Sequence, residues 1–159
     1  MQKKLAVSQD SDLSKVFECR RCGVCCQGKG GIVVGPHDLP RLCAHLHMEA
    51  ERFIALYCYL QHEKIEIRTG PDNYCIFFLP GTGCSVHAAR PDICRAWPFF
   101  RGNMVDEASF DMAKEYCPGI NPVIRHDLFV SAGLRYLEEH RLKASDPEHE
   151  ANALIGVLP

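Results

Sequence analysis

The sequence has no long hydrophobic run. Nothing in it approaches the about 20 consecutive apolar residues of a membrane-spanning helix, so no membrane association is expected. It has no basic excess either. Lys and Arg number 18 against 20 Asp and Glu, a formal net charge of -2, so nothing advertises nucleic acid or an anionic membrane surface as a partner. No Walker loop, Ser-His-Asp pattern, nucleic-acid motif or internal repeat is present. The glycines of GKGGIVV precede an expected strand rather than follow one, which is the wrong order for an adenosyl-cofactor turn. The opening MQKKLAVSQDSDL carries Lys3 and Lys4, but its apolar stretch Leu5-Ala6-Val7 is too short for a signal h-region, and Gln9, Asp10 and Asp12 follow at once. The expected compartment is the cytoplasm, where thiols stay reduced.

What the chain does have is cysteine. Ten occur in 159 residues, about one in sixteen, below a dense disulfide scaffold and far above ordinary usage. In a reducing compartment that excess points to metal or redox chemistry. The remaining composition, 47% hydrophobic and 24% charged, suits one soluble domain with its own core. The predicted organisation is a flexible leader over 1–16, a cysteine-cluster domain over 17–145 and a tail over 146–159. The predicted fold class is α+β: a small single domain with cysteine-rich loops organised around metal, short helices, a small sheet and a C-terminal helix.

Local patterns place these elements. Ile32-Val33-Val34 is β-branched and reads as a strand. Leu39, Leu42 and Leu46, then Phe53, Ile54 and Tyr57, mark two short amphipathic helices, with Asp38 as an N-cap. Ile65 and Ile67 alternate with Glu66 and Arg68 in a strand, and Tyr74 to Leu79 is an apolar strand. Residues 84–100 read mostly as loop, broken by Pro91 and Pro98. Asp106, Glu107 and Asp111 read as a solvated acidic loop. Asn121-Pro122 starts a last helix over about 122–143.

Four cysteines fall within eight residues in CRRCGVCC, as two overlapping C-x-x-C units (Cys19–Cys22 and Cys22–Cys25) with Cys26 adjacent. A C-x-x-C turn lets two thiolates converge on one ion, and Gly23 suits the turn because it accepts positive φ. Side chains of neighbouring residues diverge, so Cys25 and Cys26 are expected to serve separate centres or to bridge. Downstream, Cys75, Cys84, Cys94 and Cys117 each lie near a turn or break. Eight thiolates match two closed Cys₄ sites, or one iron–sulfur cubane with ligands to spare. Arg20, Arg21, Lys29, Arg90, Arg95 and Arg101 flank them, as an anionic thiolate centre requires; Arg90 and Arg95 bracket Cys94 and are the expected outer partners of the ligands. Cys43 and Cys58 lie in apolar stretches read as helical and are expected to pack as small hydrophobes. His45 and His47 are two apart on a helix and make a poor ligand pair. Trp97, Phe99 and Phe100 are expected to form core beneath the metal loops.

CRRCGVCC, CIFFLPGTGCSVHAARPDICRAWPF and Cys117 together resemble the cysteine-cluster family known as the zinc- or iron-chelating domain, with signature CxxCxxCC. The resemblance covers about residues 17 to 120, and its second specific piece is RPxxCRxxPF at Arg90 to Phe99. It implies that Cys19, Cys22, Cys25, Cys26, Cys75, Cys84, Cys94 and Cys117 bind metal. Many relatives have Tyr where this chain has His87, which is expected to pack and hydrogen-bond rather than ligate. Cys19, Cys22 and Cys25 match the first three cysteines of a bacterial ferredoxin run, but Lys29 stands at the fourth position, and Cys117-Pro118 is the remote alternative. Zinc, iron and a 4Fe–4S cluster therefore all stay open as cofactors. The expected function is metal binding by eight cysteines around one or two centres; whether the protein is also an enzyme stays open. The alternative is an iron–sulfur protein with a redox or methyltransferase-related role, since a flagellin lysine methylase resembles the family in its cysteine cluster. Metal ions are the expected partners; the sequence identifies no protein partner.

Overall fold

A computed structural model describes residues 13–28 and 30–157. Most of the expected leader and the flanking cation Lys29 lie outside the described residues. The fold is α+β, with two two-stranded sheets, short helices and a longer helix near the C-terminus. Two separate apolar cores organise it.

The smaller core is built by α1 (Asp38–Leu46), α2 (Ala50–Tyr57) and the hairpin of β1 (Cys58–Gln61) and β2 (Lys64–Ile67). His47 adopts a left-handed conformation (φ 53°) and ends α1, letting α2 fold back. The hairpin register pairs Cys58 with Ile67 and Gln61 with Lys64, leaving the two-residue turn His62-Glu63 with His62 at φ 57°. Leu42, Phe53, Cys58, Phe77 and Val86 fill the interior, with the Phe53 and Phe77 rings stacked at 6.3 Å. The expected strand over Ile32–Val34 contributes one bridge, Val33 to Glu66, flanked by Val34 N–H donating to Ile65 O (2.8 Å) and Ile67 N–H to Ile32 O (3.0 Å). Tyr74 to Leu79 is strand only at β3 (Phe78–Leu79), which pairs with β4 (Gly83–Cys84).

The larger core is helical: α3 (Asp92–Ala96), α4 (Arg101–Val105), α5 (Glu107–Tyr116) and α6 (His126–Glu139). Phe99, Phe110 and Phe129 form its centre, with ring centroids 5.0 Å apart for Phe99–Phe129 and 4.4 Å for Phe110–Phe129. Beyond α6, Ala151 and Leu154 are buried in the same core. The acidic stretch read as loop is α5. Asp106 caps it, its Oδ2 accepting from Ser109 N (3.0 Å) and from Ser109 Oγ (2.6 Å). The last helix starts at His126 rather than 122, because Asn121 is used otherwise: its Oδ1 accepts from Val123 N (3.0 Å) and its Nδ2 donates to Lys15 O (2.8 Å). Among the described residues, no helix is long and apolar enough to cross a membrane.

One ionic network joins the two cores. Arg41, on α1, donates through Nη2 to Asp38 Oδ1 (2.7 Å), Arg90 O (2.9 Å) and Asp92 Oδ1 (3.0 Å). Asp38 is buried and also accepts from Asp92 N (2.9 Å) and Gly35 N (2.8 Å). Burial, then the nearby Asp92 charge, push its carboxyl above the usual range, and Arg41 is the cation paired with it. Arg41→Met strands the Asp38 charge and is expected to cost about 2–3 kcal/mol, the lower part of the range for breaking a buried pair because the arginine is partly exposed. Urea unfolding measures this. A loss under about 0.5 kcal/mol, the size of an ordinary surface substitution, would show that the network does not tie the cores.

Candidate metal centre

Where the two cores meet, the chain encloses a cavity of about 100 Å³ lined by Cys19, Cys22, Cys25, Cys26, Cys75, Cys84, Cys94 and Cys117. Cys75 belongs to the smaller core and Cys117 to the larger. Cys43 and Cys58 do not line it; both pack in the smaller core.

Local structure explains the convergence. Gly23 sits at φ 83°, which turns the CRRCGVCC segment into a short 3-10 turn at Val24–Cys26, and a Cβ there would run into the Phe78 ring. Cys75 N donates to Cys26 O (2.7 Å), holding the turn against the segment that leads into β3. Cys84 comes from β4 and Cys94 from α3, the short helix found where loop was expected. Cys117 follows α5 directly. The segment before Cys19 is fixed beside it by Glu18 N donating to Gly119 O (2.9 Å), an approach so close that a Cβ on Gly119 would overlap the Glu18 carbonyl. The C-terminal side of α2 turns into β1 at Cys58, so that cysteine is a strand residue rather than a helical one.

The thiols grade from outside to inside. Cys19, Cys22 and Cys25 are exposed, Cys26, Cys84 and Cys94 half-buried, Cys75 and Cys117 buried. Among the described residues no three cysteine sulfurs lie within 4.8 Å of one another. Four sulfurs on one zinc ion stand about 3.8 Å apart, as follows from a Zn–S bond of about 2.3 Å and a tetrahedral angle. The donor set, eight thiols on one cavity, has the chemistry of a site for a thiophilic metal, while its sulfurs stand further apart than the ligands of a single ion.

The electrostatics single out one thiol. Cys26 donates its S–H to Cys25, which, with a backbone hydrogen bond and the Arg90 charge, brings the Cys25 thiol down to about 7 against the opposing effect of burial. The same hydrogen bond, burial and neighbouring thiols push Cys26 up. Cys25 and Cys26 therefore act as a pair on one cavity in the metal-free chain. Burial raises Cys94, Cys75 and Cys84, and for Cys94 and Cys75 the surrounding thiols add to it. Cys58, away from the cavity, is pushed up to about 12, chiefly by burial.

The flanking cations divide. Arg20, Arg21, Arg90 and Arg95 line the cavity, whereas Arg101 does not. The Arg90 charge acts on Cys25, Cys84 and Cys94. The Arg95 guanidinium donates to Asp92 Oδ1 (3.2 Å), and its carbonyl accepts from Tyr136 Oη (2.9 Å). His87 also lines the cavity, with Arg21 Nη2 at 3.3 Å and Arg90 Nη1 at 3.2 Å from its Nδ1; burial, then these two charges, lower its basicity. Trp97 is only half-buried and donates through Nε1 to Cys117 Sγ (3.5 Å), so it serves the cavity wall as well as the core. The sequence carried one hint of this role: an indole N–H next to a cysteine-rich loop needs an acceptor. The pairing of Arg21 with His87, 66 residues apart, had no local signal.

The sequence model of the CxxCxxCC family, described as "Putative zinc- or iron-chelating domain", matches residues 18–118. No curated protein and no solved structure matches the chain.

In reduced, metal-free protein, an alkylating reagent is expected to label Cys25 ahead of Cys75 and Cys94. Its rate should rise through a midpoint near pH 7, because a thiol lowered to about 7 is protonated below that pH and a nucleophilic thiolate above it. Peptide mapping by mass spectrometry reads the order; first labelling at Cys94 would contradict it.

Proposed function

The chain belongs to the CxxCxxCC zinc- or iron-chelating family, and on that premise we propose that its eight cavity cysteines bind zinc or iron as thiolates. One observation carries the reading. Of the ten cysteines, the eight expected as ligands line one cavity, and Cys43 and Cys58, expected to pack as small hydrophobes, lie in the smaller core. Thiolate-rich donor sets suit zinc and iron centres. Bound at the junction of the two cores, an ion stabilises the fold and is held by it, so the protein acts as a metal-binding module in a reducing compartment. No residue is assigned a catalytic role.

A second reading, an iron–sulfur centre with a redox or methyltransferase-related role, is favoured by one feature: all eight thiols share one cavity rather than forming two separate pockets. That arrangement suits a polynuclear centre as well as adjacent single ions.

Anaerobic purification with elemental analysis and a visible spectrum separates these readings. At least one zinc or iron per chain is expected. Metal below about half an ion per chain, with every cysteine open to a thiol reagent, would refute both. Cys94→Ser should lose metal and stability together. Cys58→Ala should keep the metal and cost about 1 kcal/mol, the scale of removing one small buried apolar group. Equal metal loss in the two variants would overturn the division between ligands and packing cysteines.

A further inference from the structure

His87 carries an inference of its own. Two guanidinium groups point at its Nδ1, Arg21 Nη2 at 3.3 Å and Arg90 Nη1 at 3.2 Å. Arginine has five N–H donors and no acceptor, so Nδ1 must accept and cannot carry the proton. The ring proton is then on Nε2. Arg90 Nη1 also donates to the His87 carbonyl (2.7 Å), which fixes the guanidinium relative to the ring. The Nε2 atom is fully buried and has no hydrogen-bond partner, while the residue lines the cysteine cavity. A buried donor without an acceptor costs about 1–3 kcal/mol, and such groups in folded proteins nearly always have a partner.

We propose that the Nε2–H of His87 is a built-in hydrogen-bond donor to an anionic sulfur of the thiolate-bound centre, and that His87 is not itself a metal ligand. The inference rests on the metal-binding reading above. Ligation through Nε2 needs a lone pair, and the two arginines hold the tautomer that lacks it. A thiolate sulfur carrying excess charge is the acceptor that the orphan N–H requires, and donors of this kind tune both the orientation and the affinity of metal ligands. His87 is thus a positioning residue that acts through a cysteine sulfur.

Long-range proton–nitrogen NMR of the full chain, selectively labelled at histidine, reads the tautomer directly. The expected result is an unprotonated Nδ1 and a protonated Nε2 in both the metal-free and the zinc-loaded protein, with the Nε2–H resonance shifting on loading. Loss of the Nε2 proton on loading, or nitrogen–cadmium coupling in cadmium-substituted protein, would make His87 a ligand and overturn the proposal. Two variants test the energetic side by chelator competition. His87→Phe should release zinc about ten-fold more readily or worse, the scale seen for outer hydrogen-bond partners of metal ligands. His87→Gln, which restores an N–H donor, should recover most of that loss. If the phenylalanine variant keeps its melting temperature when metal-free and retains zinc as tightly as the wild type, the donor role is refuted while metal binding stands. Failure of the wild type to take up zinc or cadmium refutes the metal reading instead.

Discussion

Thiols cannot be crowded into one cavity as anions without counter-charge, and this constraint shapes the junction of the two cores. Burial pushes Cys94, Cys75 and Cys84 up, so in the metal-free chain these thiols hold their protons. Cys25 is lowered instead, because Cys26 donates to it and Arg90 is near. Binding a cation as proposed would reverse the balance. Each ligand must lose its proton, so uptake releases protons and strengthens as the pH rises toward the raised thiol values. Arg20, Arg21, Arg90 and Arg95 on the wall then meet the negative charge that the thiolates leave in excess of the ion.

The same junction accounts for the fold. Each core alone is small for a stable domain, and what crosses between them includes the Arg41 network, the bridge of Val33, in the larger core, to Glu66 on β2, and the cysteine-bearing segments. Arg41 donates to Ala89 O, Arg90 O and Asp92 Oδ1, on the residues that carry the chain into α3. The position of Cys94 on the cavity wall thus depends on an ionic contact that is not itself at the cavity. The segment read from its prolines as loop becomes a helical turn because this network holds its first residues.

Sequence and structure agree most closely where chemistry is local. CRRCGVCC and RPDICR hold five of the eight cysteines that line the cavity, and the apolar settings of Cys43 and Cys58 marked two that do not. Alternation found β2, where Ile65 and Ile67 both pack in the smaller core, although Glu66 between them is buried as well. The reading failed where tertiary contacts override pattern. Cys58 lies in an apolar run with no breaker, and only its pairing with Ile67 makes it a strand residue. Asp106 looked like one of several solvated acids, but its cap on Ser109 starts a helix whose buried side is just Phe110 and Ala113. Asn121 carried a cap signal, and its contact with Lys15, far off in sequence, diverted it. Such pairings are invisible to any window along the chain.

The chemistry of the cavity wall narrows the occupant further than cysteine counting does. Besides the thiols, its polar side chains belong to arginine, His87, Trp97 and Tyr136; among the described residues no Asp or Glu lines it. Trp97 and the Nε2–H of His87 can only donate, as can every arginine. Hard cations such as magnesium and calcium require carboxylate, carbonyl and water oxygens. A wall of thiols backed by N–H donors disfavours them and stabilises a thiophilic cation carrying more thiolate charge than it neutralises. On the proposed metal-binding reading, selectivity therefore has two layers. The cysteines choose the class of metal, and the donors behind them favour a centre whose net charge is negative.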